Sequence, residues 1–165
     1  MVDRAGWKAE SNKCTKSIVP LGTSLNNVLI HHTAGPSCAT STDCEKQMKI
    51  IQKYHMEDGL LNDIRYNFLI GDDKQIYEGR GWSSAEYHNK TYLTDSVSIA
   101  YIGTFSDLVT DQEVLNVIKD FIDCGVEKPV IAASYTVKAY LHEGETLSPA
   151  SDTLIGGIVD FLKSA

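Results

Sequence analysis

Apolar blocks along the chain alternate with polar, turn-forming stretches, and the periods of the blocks differ. Asn27-Val28-Leu29-Ile30-His31-His32 predicts a buried strand, which Thr33-Ala34-Gly35-Pro36-Ser37 breaks. Thr42 and Glu45 stand at capping-box spacing. They predict a helix carrying Met48, Ile51 and His55 on one face and stopping at Asp58-Gly59. Tyr66-Asn67-Phe68-Leu69-Ile70-Gly71 reads as a second strand, and the turn Asp72-Asp73-Lys74 joins it to a third, Gln75-Ile76-Tyr77-Glu78. Ser83 to Thr94 reads as a polar loop, and Ser96 to Gly103 as the least polar strand. Thr110 and Glu113 repeat the capping box before a helix with Val114, Val117, Ile118, Phe121 and Ile122 at helical spacing. Ile155, Ile158, Val159 and Leu162 predict an amphipathic last helix, weakened by Gly156-Gly157. No repeat or linker interrupts the pattern. It predicts one α/β domain over residues 1–165, a mixed central sheet flanked by about three helices.

Charge narrows the partners. Lys plus Arg number 15 against 22 for Asp plus Glu, and the net charge of −7 argues against non-specific nucleic-acid or anionic-membrane binding. No run approaches the roughly eighteen apolar residues of a membrane helix, and Met1-Val2-Asp3-Arg4 begins no signal peptide. Four cysteines remain: Cys14, Cys38, Cys44 and Cys124. Cys38 and Cys44 flank a short polar loop that a disulfide can close, and of the three possible pairings Cys38–Cys44 with Cys14–Cys124 is preferred. Four buried thiols in a reducing compartment are the alternative. The sequon Asn89-Lys90-Thr91 agrees with a secretory history and makes Asn89 a candidate glycosylation site.

Chemistry-bearing residues are few. His31 and His32, adjacent on a strand, point to opposite faces and cannot both hold one metal. The chain has no H-E-x-x-H, no G-x-S-x-G and no phosphate loop. Tyr77, Trp82, Tyr87 and Tyr92 gather around the polar loop, where they suit either a carbohydrate or peptide groove or ordinary core packing.

Leu29-Ile30-His31-His32-Thr33-Ala34-Gly35, followed by Cys38 and Cys44, resembles the start of the peptidoglycan recognition protein domain. Asp63-Ile64-Arg65-Tyr66-Asn67-Phe68-Leu69-Ile70-Gly71, Tyr77-Glu78-Gly79-Arg80-Gly81-Trp82 and Ser98-Ile99-Ala100-Tyr101-Ile102-Gly103 are similar to its later stretches, so the resemblance spans almost the whole chain. It implies the fold of zinc N-acetylmuramoyl-L-alanine amidases, an extracellular location as a membrane-receptor ectodomain or secreted protein, and the same two disulfides. Family amidases hold zinc with two histidines and a cysteine, and a tyrosine assists. Here His31 keeps the first ligand position and Tyr66 the tyrosine, but Tyr140 and Ser148 stand at the other two ligand positions. A phenol and a hydroxyl are poor zinc ligands. His142 is offset from the needed place by about 6.6 Å if the segment is extended. The resemblance therefore implies a domain with no metal, no cofactor and no catalytic residues.

Non-catalytic members of the family are receptors for muramyl peptides. Relative to them, Glu86 and Tyr87 replace small residues before His88, adding bulk and a charge beside the presumed groove. That charge would repel the stem peptide's carboxylates. The expectation is an accessory receptor with an obstructed groove, joining a ligand-loaded sibling domain around a diaminopimelate-type muropeptide. An autonomous muropeptide receptor and, further off, a zinc amidase are the alternatives. His31, Thr33, Tyr66, Trp82, Glu86, Tyr87 and His88 are the candidate groove or partner-interface residues.

Overall fold

The computed structural model describes residues 1–11, 20–59, 61–88, 91–108, 111–139 and 149–163. Its centre is a five-stranded sheet in the order β3-β2-β6-β1-β7. β1 (Leu25–His32) lies between β6 (Ser96–Tyr101) and β7 (Ile131–Ala139), parallel to both. β2 (Phe68–Ile70) runs parallel to β6 and antiparallel to β3 (Ile76–Glu78). The sheet is therefore mixed, as expected.

Strand alternation divides the core in two. Val28 and Ile30 of β1, Phe68 and Ile70 of β2, and Ile99 and Tyr101 of β6 share a cluster with α3 (Gln112–Glu127) and α4 (Pro149–Lys163). Leu69 and Ala100 point the other way, with Trp7, Ile64, Tyr66 and Tyr77, onto Cys44 and Met48 of α1 (Ser41–Glu57). The short α2 (Phe105–Leu108) follows β6. Arg4 seats the N-terminal segment near the sheet edge: it ion-pairs with Asp63 at 2.9 Å and lies 5.6 Å above the ring of Trp7.

Several local expectations change. The cap of α1 is Thr40, whose hydroxyl accepts from the Asp43 N–H, and not Thr42. The cap of α3 is Asp111, accepting from the N–H groups of Glu113 and Val114. Each helix begins where a side-chain oxygen can satisfy its first free donors. The stretch expected as a polar loop contains a hairpin, β4 (Glu86–His88) with β5 (Thr91–Leu93). β7 carries no continuous apolar run because only Ile131 and Val137 of this edge strand are buried.

Cys38 and Cys44 form a disulfide with Cα atoms 5.1 Å apart. Cys124 is half-buried on α3. Cys14 lies outside the described residues, as do Asn89, Tyr140, His142 and Ser148. No helix among the described residues is long and apolar enough to cross a membrane.

Candidate functional site

The candidate site lies on the α1 side of the sheet, where the C-terminal ends of β1 and β6 meet the segment entering β2. His31 and His32 separate as the pleat requires. His32 stacks on Phe105 with ring centroids 4.3 Å apart, and its Nδ1 accepts from the Phe105 N–H at 3.1 Å. His31 faces Tyr66, with centroids 5.2 Å apart, and Tyr66 in turn meets His55 of α1 edge-on at 5.4 Å. His55 is fixed from behind, because its Nδ1 accepts from the Arg65 N–H at 3.2 Å. The three rings form a continuous row, and all are buried.

Asn67 holds the row's surroundings in place. It is fully buried, its Nδ2 donates to the carbonyls of Gly81 and Ser84 at 2.8 Å each, and its Oδ1 accepts from Ser98. One side chain thus links β2, β6 and the loop leading into β4. Gly79 allows that loop to approach, since a Cβ there would sit 2.3 Å from the Tyr66 carbonyl oxygen. Arg80 adds a second tie, donating from Nε to the Arg65 carbonyl and from Nη2 to Asn62 Oδ1.

The loop so held delivers Glu86 into the interior. Its carboxylate Oε2 lies 3.4 Å from His31 Nε2, and the residue is 0% exposed. The expectation that its charge faces a ligand is therefore corrected. Alternation on β4 turns Glu86 inward and sends the half-buried Tyr87 the other way. His88 follows on β4.

Trp82 requires a larger correction. It packs against Phe68 at 4.7 Å and Phe121 at 5.4 Å, with the α3 cluster on the opposite side of the sheet. It is a core aromatic and does not meet His31 or Tyr66. Trp82 and Tyr77, grouped by sequence, fall in different clusters on opposite faces of the sheet.

A cavity of about 360 Å³ opens beside the ring row. Its walls are the loop Thr33 to Pro36, Gln47, Ile50, Ile51, Tyr54 and His55 of α1, and Tyr66. Thr33 is braced, its Oγ1 accepting from the Gly103 N–H at 3.1 Å. Thr33 and Tyr66 are thus the sequence-predicted residues that line it. Ile50 and Tyr54, 59% and 58% exposed, were not expected there. Their signal is an apolar residue and an aromatic on the helix stripe otherwise occupied by Lys46, Lys49, Lys53 and Glu57.

The amidase fold implies zinc, and of the family's three ligand positions only His31 lies among the described residues. A catalytic zinc needs three protein ligands converging with an open position for water. No group of three or more His, Cys, Asp or Glu side chains among the described residues can hold a metal ion. His31 meets one carboxylate, and that carboxylate is packed against it.

Comparison with known proteins agrees with this architecture. The Amidase_2 family model, N-acetylmuramoyl-L-alanine amidase, matches residues 21–151. Mouse peptidoglycan recognition protein 1 is 34% identical over 150 residues, covering 90% of this chain and 81% of the mouse protein. The ectodomain of the Drosophila transmembrane receptor PGRP-LCa superposes with a TM-score of 0.76 at 34% identity, over 82% of this chain and 81% of that one. PGRP-LE, solved in complex with tracheal cytotoxin, a monomeric diaminopimelic acid-type peptidoglycan, gives a TM-score of 0.79 at 30% identity, over 92% and 88% of the two chains. Fold, motif order and similarity across most of its length place this chain in the peptidoglycan recognition protein family.

Proposed function

We propose that this chain is a non-catalytic, accessory peptidoglycan receptor domain, extracellular in location, which recognises a muropeptide held by a second peptidoglycan recognition domain. The supporting observation is the burial of the pair at His31. Tyr66 lines the cavity, while His31 and Glu86, 4% and 0% exposed, are not among its lining residues. At about 360 Å³ the cavity lies near the lower end of ligand-pocket volumes, roughly 300–1,000 Å³. That suits contact with part of a muropeptide better than engulfment of all of it.

Tyr140 and Ser148 at the family's other ligand positions support the absence of hydrolysis. The kind of partner is supported by a relative: PGRP-LCa is known in an ectodomain complex with PGRP-LCx and tracheal cytotoxin, and that structure gives a TM-score of 0.77 at 28% identity. Incubation of the folded domain with peptidoglycan and excess zinc tests the non-hydrolytic reading. Chromatography should show no released stem peptide, and steady release would overturn the proposal.

A further inference from the structure

We propose that Arg65, beside the cavity walls His55 and Tyr66, receives a carboxylate of the muropeptide stem. The inference rests on the proposed function and adds to it the chemistry that the contact reads.

A guanidinium keeps its charge and carries only donors, so any of its nitrogens shut away from water needs an acceptor. Arg65 Nε is buried and has no hydrogen-bond acceptor among the described residues. The nearest carboxylate along the chain is already engaged. Asp63 Oδ2 pairs with Arg4 at 2.9 Å, and its Oδ1 accepts from Gln52 Nε2 at 2.8 Å and from the Ile64 N–H at 2.7 Å. Arg80 reaches the same place, its Nε donating to the Arg65 carbonyl at 3.0 Å. The segment 61–70 holds one carboxylate, Asp63, and is met by all three arginines of the chain. In a chain of net charge −7 that concentration of positive charge points to an anion from outside it.

The backbone sets Arg65 beside the cavity. Its N–H donates to His55 Nδ1 at 3.2 Å, and its own peptide bond leads to Tyr66. Both of those residues are cavity walls. The root of the side chain is therefore fixed next to two of the walls, and the residue, half-buried, is not sealed from solvent. Arginine's planar fork fits a carboxylate with two parallel N–H···O bonds. Pairing with a stem carboxylate would supply the acceptor that Nε lacks.

Sedimentation of the complex of this chain, a groove-competent sibling domain and a diaminopimelate-type muropeptide tests this. The chains compared are the wild type, Arg65→Met and Arg65→Lys. Each is measured with the free-acid muropeptide and with one whose stem carboxylates are converted to amides. Arg65→Met should weaken the free-acid complex about thirtyfold. Arg65→Lys, which keeps the charge and loses the fork, should recover only a small part. Amidation should weaken the wild-type complex about thirtyfold more than it weakens the Arg65→Met complex. Melting separates this from a structural role. Arg65→Met removes a buried donor that has no acceptor, and should melt within about 2 °C of the wild type.

Equal losses on amidation in the wild type and Arg65→Met would overturn the inference, as would an unweakened complex in Arg65→Met. A fall in melting temperature large enough to account for the weakening would make Arg65 structural and overturn it too. If the wild type binds the free-acid muropeptide without the sibling, the accessory role fails, and the same variants and ligands decide the inference on that two-component complex. No binding in either form defeats both.

Discussion

Asn67 and Ser98 replace a stretch of strand pairing with side chains: the Asn67 N–H donates to Ser98 Oγ at 2.9 Å, and Asn67 Oδ1 accepts from the Ser98 N–H at 3.0 Å. The Ser98 hydroxyl donates to the same Oδ1 at 3.0 Å. Because both residues are 0% exposed, removing the amide strands several buried donors. Asn67→Ala should cost about 3 kcal/mol, read from a urea midpoint. Hydrogen exchange should also quicken at Gly81 to His88, whose approach loop the amide anchors.

Trp82, a candidate groove residue by sequence, is packed against Phe68 and Phe121, whereas Tyr54, for which sequence gave no role, lines the cavity. Trp82→Ala removes the ring packed between Phe68 and Phe121 and should destabilise the fold by about 3 kcal/mol. Tyr54→Ala, at a 58% exposed wall of the cavity, should stay within about 0.5 kcal/mol of the wild type in stability. Sedimentation of the ligand-dependent complex should respond to Tyr54→Ala. Loss of the complex in Trp82→Ala with Tyr54→Ala unaffected would place the contact elsewhere.

The disulfide supports the loop before α1 and has little room. A Cβ on Gly71 would lie 2.5 Å from Cys44 Sγ and 2.7 Å from Cys38 Sγ. Gly71→Ala should therefore destabilise by about 2 kcal/mol through overpacking. Reduction of the Cys38–Cys44 bond, which closes a short loop, should cost a similar ~2 kcal/mol by the chain-entropy estimate. Calorimetric scans with and without reductant measure both.

Acid sensitivity should appear at the N-terminus of α3. Burial pushes the Asp111 carboxyl upward, but the Lys74 ammonium and the N–H groups of Val114 and Glu113 more than offset it, holding the group below its ordinary value. A depressed carboxyl contributes stability above its unfolded pKa and loses it as pH falls through the folded value. Asp111→Ala should cost about 1 kcal/mol at neutral pH through loss of the cap. Its stability should also fall less steeply than the wild type's on acidification, a difference that urea midpoints measured down to acid pH would reveal.

Much of the fold was legible because its signals are local. The apolar run ending in His31-His32 marks β1, and Asp72-Asp73-Lys74 marks the β2–β3 turn. β7 and the β4–β5 hairpin escaped because their stability comes from pairing and not from an apolar pattern of their own. The site was legible in part. Thr33 and Tyr66 line the cavity and His31 lies against Tyr66, while Glu86, singled out for a charge beside the groove, is buried next to His31. Sequence shows that a charge has entered the hairpin. Whether it turns to solvent or to His31 depends on the phase of β4, which Asn67 and Gly79 set from a distance. Trp82 was misplaced as well, since it falls in the opposite cluster from Tyr77 although the two are close in sequence.

Calorimetric titration of the folded domain with a diaminopimelate-type muropeptide monomer, alone and beside a groove-competent sibling domain, tests the central claim most directly. The account predicts no heat of binding from the domain alone and a saturable signal once sibling and ligand are both present. Saturable one-to-one binding to the isolated domain would contradict it and leave an autonomous receptor.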